Sequence, residues 1–242
     1  MKPPDSPNIP SPHGSHNRPA VPRRAPRRDE IAAATVGILQ KGGRDKADLL
    51  LVNVGDGVMV VKDFAAKSRW TRLLGRIQIH RELKAYRWLG RMPGIPAFVG
   101  AVDALALAVE RVEGERLHGS PNPRARGEDH LLKLRALIDR FHEAGVVHND
   151  LRGRENLMLR PDGELVLLDL AGAICLEPDG LAHRLLFRGL ALTDEAAYLK
   201  WKEFLAPGKF TAKEDAFLRR FRVLRRLWPF NRKHRRSTEA RT

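Results

Sequence analysis

At 242 residues and 43% apolar content, the chain is long enough for one sizeable domain or two small lobes with a real core. No apolar run approaches the roughly 18 residues that cross a bilayer, the Pro-rich start has no signal-like apolar region, and one cysteine, Cys175, permits neither an internal disulfide nor zinc spacing. The net charge of +15 belongs to the ends: residues 1–28 carry six Lys/Arg against one acid, residues 209–242 carry twelve against three, and residues 29–208 are nearly balanced, at 26 against 25.

These features predict a cytoplasmic chain in a reducing setting, with Cys175 buried and structural. Residues 1–28 hold eight prolines among Ser, Asn, His and Arg. Such a segment buries too little apolar surface to offset its ordering entropy, so a disordered tail is expected. Residues 33–64 then read as three short β-rich runs, AATVGILQ, ADLLLVNV and GVMVVKDF. They are separated by KGGRDK and by Gly55-Asp56-Gly57, a tight-hairpin signal. A helix is expected near 68–91, with Trp70, Leu73, Leu74, Ile77, Leu83, Tyr86 and Leu89 largely at helical spacing and Pro93 as its stop. Two further strands, near 97–102 and 106–112, complete a compact α+β unit.

The second half opens with a helix over about 128–144. Leu131, Leu134, Ile138 and Phe141 form one face, and Gly145 ends it. Residues 156–159 and 164–168 are two strands joined by Pro161-Asp162-Gly163. Beyond about residue 180 the chain reads as helical and ends in a basic segment.

The stretch 142–171, HEAGVVHNDLRGRENLMLRPDGELVLLDLA, places His148-Asn149-Asp150, then Asn156, then Asp169 at the close of an apolar strand. That order of oxygen groups suits transfer of a phosphoryl group from a magnesium nucleotide, where catalysis is mainly positioning and charge neutralisation. Asp150 is expected to orient or deprotonate an acceptor hydroxyl, and Asn156 and Asp169 to hold Mg2+. Arg152 can reach the transferring phosphate. Any one of these residues alone would more often be a turn or cap, or for Arg152 a solvated side chain; the ordered conjunction carries the reading. His148 is expected to be structural, packing under the loop.

In the first half, Lys62 ends the alternating run 58–61 and can point toward nucleotide phosphates. Its ammonium then needs a carboxylate, and Glu82 on the following helix supplies one; an exposed surface pair is the alternative. Gly42-Gly43 lies between the first two strands, where a loop could cover phosphates, although a plain turn explains it nearly as well. The backbone of Glu110 and Val112 would meet an adenine edge at the junction of two lobes.

Together these residues resemble the protein-kinase-like superfamily over roughly residues 33–205. Val60-Val61-Lys62-Asp63 is similar to the strand-lysine motif and Glu82 to its helix partner; His148-Asn149-Asp150 resembles the H-R-D motif, and Asp169-Leu170-Ala171 the D-F-G motif. The small size and the HNDL…N…LLDLA pattern most resemble the bacterial RIO-like and lipopolysaccharide-kinase-like proteins. The resemblance implies a two-lobe α+β fold. Residues 29–114 would be a small N-lobe of five antiparallel strands plus one helix, and residues 115–208 a reduced, mainly helical C-lobe, with a basic amphipathic segment at 209–242. It implies an ATP- and Mg2+-dependent kinase with an alcohol acceptor, a lipopolysaccharide core sugar ahead of a protein serine or threonine. A pseudokinase binding module is the alternative of another class.

Three departures shape that expectation. Asn149 replaces the arginine that receives an activation-loop phosphate, and no A-P-E follows, so phospho-switching is not expected. Asn156 comes one residue later than usual, leaving Glu155 as a substitute metal ligand. The chain after Asp169 is short for a peptide-docking part, which leaves room for a sugar or lipid acceptor.

From Phe217 to Arg236 nine basic residues interleave with Phe221, Val223, Leu224, Leu227, Trp228 and Phe230, with no acid. An interfacial helix on anionic lipid would place the protein peripherally on the inner membrane. A last helix packing through Phe217, Phe221 and Leu224 is the plain alternative, and nucleic-acid binding the least favoured.

Overall fold

The computed structural model describes residues 21–22, 24–55 and 57–227, with side chains to 221. The expected tail over 1–20 and the basic end over 228–242, including Trp228 and Phe230, lie outside the described residues.

The protein is α+β. A one-turn helix, α1 (Ile31–Ala34), leads into β1 (Thr35–Gln40), β2 (Asp48–Asn53) and β3 (Val58–Asp63), followed by α2 (Arg69–Leu89), β4 (Phe98–Asp103) and β5 (Ala106–Glu110). The five strands form one antiparallel sheet in the order β1-β2-β3-β5-β4. Side chains alternate across it. Met59, Val61, Ala106 and Ala108 pack with Ile31 on one face, while Leu105 and Leu107 join Phe64, Ile79 and Leu83 on the face under α2. Lys62, between Val61 and Asp63, is thereby turned toward α2.

The chain enters the fold earlier than its composition suggests. Arg28, expected in the tail, donates to both carboxylate oxygens of Asp103 at 2.7 and 2.8 Å and to Asp63 at 2.6 Å. Ala25 packs against the outer cluster of the sheet. The segment 24–28 is a strap across the sheet face opposite α2.

Helix α2 starts at Ser68, whose Oγ accepts from the Thr71 N–H. It lies so close to the sheet that a Cβ at Gly75 would stand 2.5 Å from the Phe64 ring. The apolar spacing read from the sequence marks its buried face only in part: Leu83 and Tyr86 turn inward and Leu89 packs on the core, but the first turns do not follow it. Trp70, Leu73, Leu74 and Ile77 are exposed, and the inward residues are Thr71, Gly75, Ile79, Glu82, Leu83, Ala85 and Tyr86. Beside Phe64 the close approach selects Gly75 for the inside, while Ile79, Leu83 and Tyr86 fill the rest of that face.

The second half contains β6 (Glu115–Arg116), a one-turn 3-10 helix (Leu117–Gly119), α3 (Gly127–Glu143), β7 (Val146–Val147), β8 (Leu157–Leu159), β9 (Leu165–Leu167), β10 (Ile174–Cys175), α4 (Leu181–Leu205) and α5 (Ala212–Leu227). Strands β6-β8-β9 form one small antiparallel sheet, and β7 pairs with β10. Gly145, at φ 71°, ends α3, and Gly163, at φ 80°, turns β8 into β9. The largest core draws on both halves: Ala85, Tyr86 and Ile95 pack with Leu134, Ile138, Phe141, Leu157, Leu167 and Trp201. Cys175 is partly buried on β10, and desolvation pushes its thiol up, so it is a poor nucleophile.

Thr211 and Glu214 open α5 with a reciprocal capping box: the Glu214 N–H donates to Thr211 Oγ1, and the Thr211 N–H to the Glu214 carboxylate. Lys202 ties Glu214 to α4 at 2.7 Å. Phe217 and Phe221 stack at 5.8 Å and are half-buried. Among the described residues no helix is long and apolar enough to cross a membrane.

Candidate active site

Three separate parts of the chain converge on one ammonium group. Lys62 Nζ donates to Glu82 Oε2 and to Asp169 Oδ1, each at 2.8 Å. Glu82 comes from the inward face of α2, and Asp169 follows β9. Asp169 sits at φ 59°, a left-handed backbone that Asp tolerates better than most residues. Its Oδ1 also accepts the Ala171 N–H at 3.1 Å, and the Leu170 N–H reaches the Glu82 carboxylate. Burial disfavours the Lys62 charge, yet the two carboxylates outweigh it and hold its pKa up. Burial pushes the Glu82 carboxyl up against the pull of Lys62, and the neighbouring Asp169 charge adds to the rise. Against its own desolvation, Asp169 is kept below the ordinary aspartate range by Lys62.

The loop after β7 carries the second group. His148 is fully buried, and its Nδ1 accepts the Asp150 N–H at 3.3 Å. Desolvation lowers the ring's pKa, so it stays neutral and structural. Asn149 adopts φ 63°, and its N–H donates to Asp194 Oδ1 at 2.8 Å; the His148 N–H donates to Asp194 Oδ2 at 2.8 Å. Asp194, on α4, is wholly buried and also meets His142 Nε2 at 3.1 Å. This carboxylate fixes the backbone that presents Asp150.

Asp150 itself opens to solvent on one side. Partial desolvation by the surrounding loop, with the Asp169 charge adding to it, still pushes its carboxyl above the ordinary aspartate range. Gly172 runs tight beside it, where a Cβ would come within 3.1 Å of the Asp150 Cβ and the His148 carbonyl. Asn156 Nδ2 donates to the Asp150 carbonyl at 2.9 Å. A carbonyl needs a donor, so this bond fixes the amide's orientation and turns Asn156 Oδ1 away as a hard acceptor.

The remaining expected residues are placed differently. Gly42 closes its loop rather than opening it: its N–H donates to Asp48 at 2.8 Å, Lys67 holds its carbonyl at 2.8 Å, and a Cβ would stand 2.1 Å from the Ala47 carbonyl. Gly43 faces open space, and Lys46 from the same loop is close enough to favour the Asp150 charge. The Glu110 N–H is given to the Ala97 carbonyl at 2.8 Å. The Glu110 side chain pairs with buried Arg160 at 2.7 Å, joining β5 to the end of β8. Val112 lies half-buried in the link between β5 and β6. Glu155, the substitute metal ligand of the sequence reading, forms an ion pair with Arg116. Arg152 lines a cavity of about 220 Å³ with His118, Arg154, Lys200, Trp201, Glu203 and Phe204, directly beside the Asp150 loop.

Asp194 and His142 escape the sequence reading. The signal for Asp194 is an acid at i with Ala197 at i+3 and Trp201 at i+7, on the buried face of α4. Arg160 leaves no such trace, because its partner Glu110 is 50 residues away.

Among the described residues no three His, Cys, Asp or Glu side chains gather into a metal-binding group. Magnesium does not require one, since it keeps waters and binds through one or two carboxylates plus substrate phosphates. The oxygen pair of Asp169, still 45% exposed at its side chain, and Asn156 Oδ1 fits that preference. No family model and no curated protein matches the chain, so its chemistry is read from this geometry.

Proposed function

We propose that the protein is an ATP-dependent kinase with a two-lobe, protein-kinase-like fold that transfers the γ-phosphoryl group to an acceptor hydroxyl. The observation that carries this reading is the Lys62 ammonium held at 2.8 Å by both Glu82 and Asp169. A lysine fixed by two carboxylates is positioned to meet phosphate oxygens rather than to titrate. Asp150, in the same electrostatic neighbourhood as Asp169, receives the proton of the acceptor hydroxyl. The acceptor oxygen forms the new bond to the γ-phosphorus, the bond to the β-phosphate bridge oxygen breaks, and ADP leaves with the electron pair. Asn156 and Asp169 are the residues that would hold Mg2+, which neutralises charge on the phosphates when bound.

The acceptor that suits the site carries negative charge. The cavity beside Asp150 presents Arg152, Arg154 and Lys200 against one acid, Glu203. A phosphorylated or carboxylated sugar, as in a lipopolysaccharide core, fits that lining better than a basic peptide does.

The test is transfer from labelled ATP to separated lipid, polysaccharide and protein fractions, with Asp150→Asn as control. Label is expected in the polysaccharide or lipid fraction, and the variant is expected to lose about 10²- to 10⁴-fold in turnover. Undiminished turnover in the variant, or no Mg-ATP binding by calorimetry, refutes the reading.

A further inference from the structure

The outer face of α2 carries an exposed apolar stripe that the proposed chemistry leaves unused. Trp70 is 80% exposed, and Leu73, Leu74 and Ile77 are each about half exposed. They stand at i, i+3, i+4 and i+7 and so share one stripe of the helix. Contiguous exposed apolar side chains of this kind, unlike single scattered ones, are often functional. Arg69, Arg72 and Arg76 form a neighbouring row and line a groove with Leu73. His80, Arg81, Lys84 and Arg87 continue the exposed side toward the helix end. The one acid of α2, Glu82, points inward to Lys62. This face is apolar and cationic, with no acid.

What covers it has to accept leucines and supply negative charge. The chain's own ends are both strongly basic and would be repelled. A second copy docked face to face would set arginine row against arginine row. Nucleic acid would meet the arginines but give the Trp, Leu and Ile side chains no apolar phase. A bilayer with anionic lipid satisfies both requirements at once. We propose that the outer face of α2 docks on an anionic membrane surface, with Trp70, Leu73, Leu74 and Ile77 in the acyl boundary and Arg69, Arg72 and Arg76 on lipid phosphates.

The first turn of α2 also holds the β1–β2 loop, through Thr71 Oγ1 donating to the Arg44 carbonyl at 2.8 Å. The docking stands apart from the proposed transfer reaction; only the further step, that a membrane-borne acceptor is presented there, rests on it.

The full chain is sedimented with phosphatidylcholine vesicles, with or without about one-third phosphatidylglycerol. Binding is expected on the anionic vesicles and to be weak on the neutral ones. The triple variant Trp70→Ser, Leu73→Ser, Ile77→Ser and, separately, Arg72→Glu with Arg76→Glu are each expected to weaken it about tenfold or more. Thermal melts by circular dichroism check that both remain folded, and the charge pair alone decides the matter if the triple variant does not.

Brominated acyl chains are expected to quench tryptophan in the wild type, with Trp70→Phe removing most of the effect and Trp228→Phe leaving it. Wild-type protein that ignores anionic vesicles, or folded variants that bind as well as wild type, overturns the proposal. So does quenching that disappears with Trp228→Phe instead, which assigns the contact to the C-terminal segment. A dimer that the triple variant dissociates, or RNA binding that it abolishes, overturns it in favour of those partners. Asp150→Asn is expected to bind vesicles normally, so a failed transfer reaction and a failed docking are told apart.

Discussion

Replacing Asp194 by asparagine tests whether one buried carboxylate holds the Asp150 loop. In the native chain Asp194 accepts two backbone N–H groups, from His148 and Asn149, both at 2.8 Å, and is wholly buried. Hydrogen bonds to a charged group are worth about 1.5–3 kcal/mol each. Asparagine keeps one acceptor oxygen for one of these amides and turns its NH2 toward the other, donor against donor. The expected cost is one charge-assisted bond plus part of an unsatisfied donor, roughly 2–4 kcal/mol. For a chain of this size that lowers Tm by roughly 5–15 °C. Urea unfolding followed by circular dichroism measures the first quantity, and a thermal scan the second. His142→Ala, which removes the flanking 3.1 Å contact and an edge-on ring contact with Phe187, leaves both amide bonds of Asp194 in place and is expected to cost less. An Asp194→Asn protein within about 0.5 kcal/mol of wild type, the range of a neutral surface change, would refute the reasoning.

Gly75→Ala places a methyl 2.5 Å from the Phe64 ring and is expected to destabilise by about 1–3 kcal/mol, although alanine is the better helix former; denaturant midpoints decide the sign. The proposed transfer needs charged Asp150, whose carboxyl is raised by partial desolvation. The acid limb of kcat/KM is therefore expected above the ordinary aspartate value of about 3.9, and a midpoint below it excludes Asp150 as the base. Asp103 is held low chiefly by its hydrogen bonds from Arg28. The stability it contributes is full above the unfolded value of about 3.9 and is lost as pH falls through the lower native value. Arg28→Ala is expected to flatten that acid limb of the stability curve, as read by urea titrations across pH. Asn149→Val sets a β-branched residue at φ 63° and is expected to cost about 1–2 kcal/mol, while Asn149→Gly is tolerated.

What could be read from the sequence follows the range of the interactions involved. Strand alternation before Lys62, and its spacing to Glu82, carry local information, and the two meet at 2.8 Å. The helix ended by Gly145 and the hairpin turned at Gly163 are equally local, because a left-handed glycine writes its own signal. The bond from Asn156 to the Asp150 carbonyl lies within one loop and follows from their short separation.

Interactions that depend on packing are hidden. The buried face at the start of α2 is set by how near the helix lies to Phe64, so Trp70, Leu73, Leu74 and Ile77 stand outside while Ile79, Leu83 and Tyr86 stay in. Gly42 looked like a phosphate loop, but Asp48 and Lys67, which are placed only by the fold, consume its backbone groups. Asp194 pairs with backbone amides, and amides have no letter in the sequence.

The bond from the Asn149 amide to Asp194 also sets a schedule for the nascent chain. The His148 amide leaves the ribosome 46 residues before the carboxylate that receives it. The core beneath it waits longer, for Trp201 and Leu205 to join residues as early as Ala85. The two clusters on the five-stranded sheet lie within the first half, but the core shared by both halves is complete only once α4 has been made. Until then the residues of that shared core lack their partners, and exposed apolar surface of this kind is prone to aggregate.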